Sequence, residues 1–307
     1  MRKRRKFYRG VVNHVYQKTC DGFQLFYTIE DCLVFYTIFS VCVHSSPVQA
    51  LQLSIMHNHF HSMLCADSIQ DLSDFMDRCS SWFAREHNLF AGRSGRLLKK
   101  NFGSAPKWDR KKLRSAIIYI GNNPVEKGFC RTARESRWNF LAYAVSSNPF
   151  SKPLIKRNVS YEMKKVLKEV DTMVRLNLPL KYSRLIRMTK NLSYEELQQF
   201  IDYVIVSYQP FDYEDLISNF QSYEAMMAAM DSTTGSEYDI KETRDVFSLT
   251  VFHQIMEYLE KKIPRHEIRK VTALPLEKKV ELLNELKVHT SASESQICDF
   301  LHILRKI

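Results

Sequence analysis

Apolar and polar residues alternate over 48–56 (VQALQLSIM) and again over 59–65 (HFHSMLC), with His57-Asn58 between them. Period-two alternation broken by two turn-forming residues predicts a β-hairpin. The stretch 13–19 (NHVYQKT) has the β-branched and aromatic character of a first strand. Thr28 and Asp31 stand in capping-box spacing before the apolar TIEDCLVFYTIFSVCVH, predicting a buried helix from about residue 29. Ile69, Leu72, Phe75, Met76, Cys79 and Phe83 recur at steps of three and four, the mark of an amphipathic helix. Glycines 92, 95 and 103 with basic residues between them suggest a hairpin or paired short strands. A further helix is expected from near Asp109 to about Asn123, since Pro124 disfavours helical geometry in the residue before it.

The pattern changes after SSNPFSKP (146–153). Residues 160–262 read as helices with few glycines and no internal repeat: EMKKVLKEVDTMVRLN (162–177), SYEELQQFIDYVIVSY (193–208), YEDLISNFQSYEAMMAAM (213–230) and TRDVFSLTVFHQIMEYLEKK (243–262). A basic segment from Pro264 to 307 holds two short helices around a small-residue turn. That spacing fits a helix-turn-helix whose second helix runs from about 294 to 303, and fits a plain helical hairpin equally well. The expected division is therefore 1–150, an α+β unit mixing strands and helices; 151–262, a helical extension, acidic in its second part; and 263–307, the basic helical segment.

Charge sharpens this division. The chain carries a net +11, yet residues 191–260 hold fourteen Asp or Glu against two Lys or Arg. Such segregation points to a polyanionic partner for the basic remainder, with nucleic acid foremost. The acidic block reads as a solvated helical face; a second reading has it masking the basic surface. Seven scattered cysteines without CxxC spacing read as reduced thiols. The longest apolar run, 32–43, is too short to span a bilayer, and no apolar stretch or cleavage site follows the charged start. A cytoplasmic location and no membrane partner are expected.

The candidate chemistry lies in two stretches. His57, His59 and His61 share one side of a strand, an arrangement that fits metal ligands and, about equally, a merely polar sheet face. Tyr119 and Asn123 are four apart on one helix face. Two imidazoles and an amide oxygen make three metal ligands, and a nearby tyrosine could act as nucleophile in phosphoryl transfer. Tyr119 taken alone would be read as a buried aromatic, and Asn123 as a helix-end cap. His14, His44, His87, His253, His266 and His302 have no spacing partner and are assigned no role. Trp82, Trp108 and Trp138 read as core or hinge packing.

These stretches carry a resemblance. MHNHFHSML resembles the Met-Pro-Asn-His-Val-His segment of the single-tyrosine HUH transposases, and YIGNNPVEKG resembles that family's Tyr-Ile-x-x-Asn-Pro-Val-x-x-Gly. SGRLLKKNF and SRWNFLAY fall where members carry a Gly-rich basic hairpin and a Trp-containing stretch. The likeness covers 8–145 and is nearest to the REP-associated tyrosine transposase branch; 146–307 is matched only loosely.

The resemblance implies a ferredoxin/RRM-like antiparallel sheet with packed helices, followed here by an all-α extension. It implies that His59, His61 and Asn123 hold a divalent cation, Mg²⁺ or Mn²⁺, and that Tyr119 attacks single-stranded, hairpin-bearing DNA. The products would be a 5′-phosphotyrosyl link and a free 3′-hydroxyl, with rejoining by the reverse attack. Arg93, Arg96, Lys99, Lys100, Arg110 and Lys111 are the expected backbone contacts. The family's usual proline is His57 here, which suits DNA contact or simple tolerance better than a fourth ligand. The active unit could be a monomer or a homodimer. Two alternatives stay open: a non-catalytic hairpin-binding regulator on the same fold, and a replication-initiator or relaxase-type nickase.

Overall fold

Three strands form where the alternation places them: β1 (Asn13–Lys18), β2 (Gln49–Ile55) and β3 (His59–Cys65). A fourth, β4 (Gly103–Pro106), completes an antiparallel sheet of order β2-β3-β1-β4 in the computed structural model, which describes residues 6–232 and 248–304. Around it lie α1 (Ile29–His44), α2 (Ile69–Ala91) and α3 (Arg110–Glu126). Then come α4 (Tyr161–Arg175), α5 (Tyr182–Thr189), α6 (Tyr194–Ser207), α7 (Tyr213–Ser218) and α8 (Tyr223–Asp231). The last helices are α9 (Leu249–Glu260), α10 (Leu276–His289) and α11 (Glu294–Leu301). This is the α+β architecture expected from sequence, with helices packed on an antiparallel sheet and an all-α continuation.

The two sheet faces are occupied differently. Val15, Leu53, Ile55, Phe60 and Leu64 belong to one core with residues of α1 and α2. Met63 joins a second cluster with Ile117, Tyr119 and Ile120 of α3. A bulge between Ala50 and Gln52 lets Leu51 join the α3 cluster too. Helix α1 is buried nearly all round, as its uniform apolarity requires, because α5 and α6 cover the side away from the sheet. Its polar residues are matched: Tyr36 donates to the Ile205 carbonyl at 2.7 Å, and the Thr37 hydroxyl accepts from Leu180 N–H at 3.1 Å.

Several expectations needed correction. The 92–103 stretch forms no hairpin; Leu98 makes an isolated bridge with Thr19, and only β4 enters the sheet. Helix α3 does not stop at Asn123 but runs through Pro124 to Glu126. Proline removes one N–H within the final turn, while Lys127, Gly128 and Phe129 still donate to the Asn123, Val125 and Pro124 carbonyls. Asn123 therefore sits inside the helix and is not its cap. The stretch 213–230 breaks at Ser222, which caps α8, and α5 was not anticipated. Residues 233–247, which include part of the acidic block and the start of the helix expected near 243, lie outside the described residues.

The later segments are built into the rest. Helices α4 to α6 share the core of α1, and Asp202 of α6 accepts from Phe150 N–H and Ser151 in the Ser/Pro-rich stretch. Helix α8 packs on α3 through Met226, Met227 and Met230. Helices α9 to α11 form a third cluster that takes in Tyr27. Tyr27 Oη donates to the Phe300 carbonyl at 2.7 Å, and Gln24 N–H donates to the Asp299 carbonyl at 2.9 Å. Arg269, fully buried, pairs with Asp31 at 2.9 Å. Among the described residues no helix is long and apolar enough to cross a membrane.

Candidate active site

Strand alternation puts His59 and His61 on the face that meets α3, in line with Met63. The preceding turn is anchored: the His57 carbonyl accepts from Leu25 and Phe26 N–H groups at 2.8 and 3.0 Å. Asn58 Nδ2 donates to the Gly22 carbonyl at 3.0 Å, which fixes the amide's orientation because a carbonyl can only accept. Its Oδ1 then faces His59 Nδ1 at 2.6 Å. The network thus assigns the Nδ1 hydrogen to His59 and leaves the lone pair of the neutral ring on Nε2. A hydrogen-bonded far nitrogen of this kind is what orients metal-binding histidines.

His61 is oriented by a residue that has no spacing partner along the chain. Its Nδ1 lies 2.8 Å from Nε2 of His14 on β1, so one ring donates to the other. Tyr119 presents its ring edge-on to both, 5.7 Å from His61 and 5.8 Å from His14 between centroids. The His59 and His61 rings are 4.9 Å apart and nearly perpendicular. Tyr16, opposite His61 in the β1–β3 register, closes the group at 5.9 Å. Its ring lies across Gly103 of β4, where a Cβ would come within 2.1 Å of Tyr16 Cζ. Tyr16 is 36% exposed, whereas His59 and His61 are at 1% and Tyr119 at 3%.

Asn123 lies one turn beyond Tyr119. It is buried, and neither amide atom has a hydrogen-bond partner among the described residues. Its neighbour Asn122 is committed elsewhere, donating to the Met230 carbonyl of α8 at 2.6 Å. A buried amide without a partner is costly, and a cation is one group that would satisfy its oxygen. No three His, Cys, Asp or Glu side chains are grouped as ligands among the described residues. A cation here would need an oxygen donor besides the two imidazoles, and the Asn123 amide is a donor of that type. Such a mixed N/O set suits Mn²⁺ better than Mg²⁺.

The expected DNA contacts separate into two groups. Arg96, Lys99, Lys100 and Lys111 are exposed. Arg93 is half-buried and donates to Asn88 Oδ1 at 2.8 Å, while Arg110 is exposed but donates to the Ser218 carbonyl at 3.2 Å. Trp82 and Trp138 pack against the main core as expected. Trp108 does not: it precedes the α3 cap Asp109, is 63% exposed and carries Lys112 Nζ 3.5 Å over its ring. Basic α3 is also touched by the acidic block, with Arg114 over the Phe220 ring.

A solved structure described as a REP-associated tyrosine transposase bound to a REP hairpin is similar to this chain with a TM-score of 0.41. The similarity is at 16% identity and covers 47% of this chain and 85% of that one. No protein-family model and no curated protein matches the chain.

Proposed function

We propose that the protein is a metal-dependent enzyme that cleaves and rejoins single-stranded, hairpin-bearing DNA, with Tyr119 as the nucleophile. The observation that carries this reading is the packing of Tyr119 against His61, itself beside His59, with the buried amide of Asn123 on the same helix face. The Tyr119 oxygen bonds to phosphorus while the bond from phosphorus to the 3′-oxygen breaks, and the phenolic proton ends on the released 3′-hydroxyl. His59, His61 and Asn123 are the residues that would hold the cation, whose contribution is to neutralise charge on the phosphate. A phenol with an ordinary pKa near 10 needs that help at neutral pH. Conserving bond energy in the phosphotyrosine lets another 3′-hydroxyl reverse the step without an external energy source. The net positive charge supports a nucleic-acid substrate, and the cytosol is its proposed setting.

The deep burial of Tyr119 favours a second reading, in which the protein binds hairpins without cutting them and Tyr119 is core. A denaturing gel separates the two. The protein is mixed with end-labelled hairpin-bearing single-stranded DNA from its own genomic flanks and Mg²⁺ or Mn²⁺. A detergent-resistant adduct is expected, lost with chelator and in Tyr119→Phe but kept in Tyr16→Phe. An adduct that vanishes only in Tyr16→Phe would move the nucleophile to the exposed ring. Tight binding without adduct or nick would make the protein a binder.

A further inference from the structure

A cavity of about 420 Å³ opens beside the histidine cluster, between the His57 turn, the segment after α3 and helix α9. Its walls are unusually aromatic: Phe129, Trp138 and Phe252 line it together with His57, Arg137 and Arg265. His57 links it to the candidate active site, standing edge-on 6.0 Å from Phe129 and 6.1 Å from His59. Arg137 is held in place by Asp202 at 3.2 Å and by Gln198, and its Nε has no hydrogen-bond partner among the described residues. Cys130 also faces the space; burial pushes its thiol up to about 11, so it stays protonated near neutrality and offers no nucleophile.

We propose that this cavity receives one unpaired nucleotide of the strand being processed, its base among the rings of Phe129, Trp138 and Phe252 and its phosphate toward the arginines. The assignment rests on the single-strand DNA reading above. Aromatic walls accept the flat face of any base, guanidinium groups meet the phosphate, and the volume suits a single nucleotide and excludes a duplex. Holding the nucleotide next to the scissile position in this way would set the strand's register against Tyr119. It also gives the C-terminal half a part in the site, since Phe252 belongs to α9 and Arg265 to the turn after it.

The test uses the full chain and hairpin-bearing oligonucleotides with genomic flanks. 2-Aminopurine is placed at successive single-strand positions and its fluorescence read on binding. A parallel series carries one abasic residue, with affinity read by anisotropy. One position is expected to respond alone in fluorescence, and its abasic form to bind about 10-fold more weakly. That penalty should disappear in Phe252→Ala, whereas Arg265→Gln, a surface change that spares the core, should keep the penalty and weaken intact and abasic strands alike. Adduct formation with uniform responses, or with a penalty untouched by Phe252→Ala, would overturn the cavity's role and leave strand cleavage standing. Absence of both binding and adduct would overturn the two together.

Discussion

At the scale of single residues, the ring of His14 on β1 touches that of His61 on β3, with Nε2 2.8 Å from Nδ1. His59 and His61 declare themselves by alternation within one strand, and Tyr119 and Asn123 by one helical turn. His14 becomes meaningful only when β1 pairs with β3 in the register that sets Tyr16 against His61. That register is a long-range property, fixed by which faces bury rather than by any local spacing. His14 is a positioning residue: its hydrogen bond to Nδ1 of His61 orients the ring that would meet the cation. Replacing His14 with Phe should weaken Mn²⁺ binding about 10-fold, within the range typical for lost orienting partners. Titration followed by Mn²⁺ paramagnetic resonance measures it, with His61→Ala as reference and His14→Gln expected to recover part of the loss. Unchanged affinity in His14→Phe would reduce that contact to packing.

At the scale of elements, the first half was legible and the second half less so. The β2–β3 hairpin, α1 with its Thr28–Asp31 box, and α2 form within a residue or two of expectation, because their periodicity and caps agree. The end of α3 was misplaced, since a proline in a last turn removes only one donor there. The break between α7 and α8 falls at Ser218-Asn219-Phe220-Gln221-Ser222, where Ser222 is an N-cap that the sequence reading takes into a single helix. That break matters, because α8 grips the tyrosine helix from behind. Asn122 donates to the Met230 carbonyl, and a methyl on Gly121 would meet Met230 Sδ at 2.6 Å. So held, Tyr119 should serve the histidines of its own chain. Mixing Tyr119→Phe with His61→Gln protein should therefore restore no DNA adduct. Recovery in the mixture would mean that the helix reaches a second copy.

At the scale of the whole molecule, the chain's late segments complete its early ones. Helix α11 bears Glu294 and Asp299 and no Lys or Arg, and Ile297, Phe300 and Leu301 are buried. His302 just beyond it donates from Nε2 to the Gln24 carbonyl at 2.6 Å, and burial pushes its imidazole from 6.5 down to about 3. His87 is likewise driven well below its ordinary value by burial and by the nearby Arg269 and Arg93. Below about pH 6.5 the unfolded chain takes up protons at both sites while the folded chain does not. The contribution of each is thus full above about pH 6.5 and declines as pH falls, that of His302 until about pH 3. Urea midpoints should drop between pH 7.5 and pH 4.5. His302→Gln, which keeps a donor for Gln24, should flatten that slope by up to about 1.4 kcal/mol per pH unit. A slope identical in both proteins would remove His302 from the account.

The buried Arg269 has a consequence in time. It donates to Thr28 Oγ1 and faces Asp31, at the cap from which α1 begins, although 241 positions separate it from Thr28. A ribosome adding about 5–20 residues per second needs on the order of 10–50 s to travel that far. Throughout that interval Asp31 has the backbone N–H groups of Tyr27 and Thr28 as partners but not yet its cation. The cap of α1 can therefore gain its guanidinium only after residue 269 has been made, so closure at that point cannot precede the late segment.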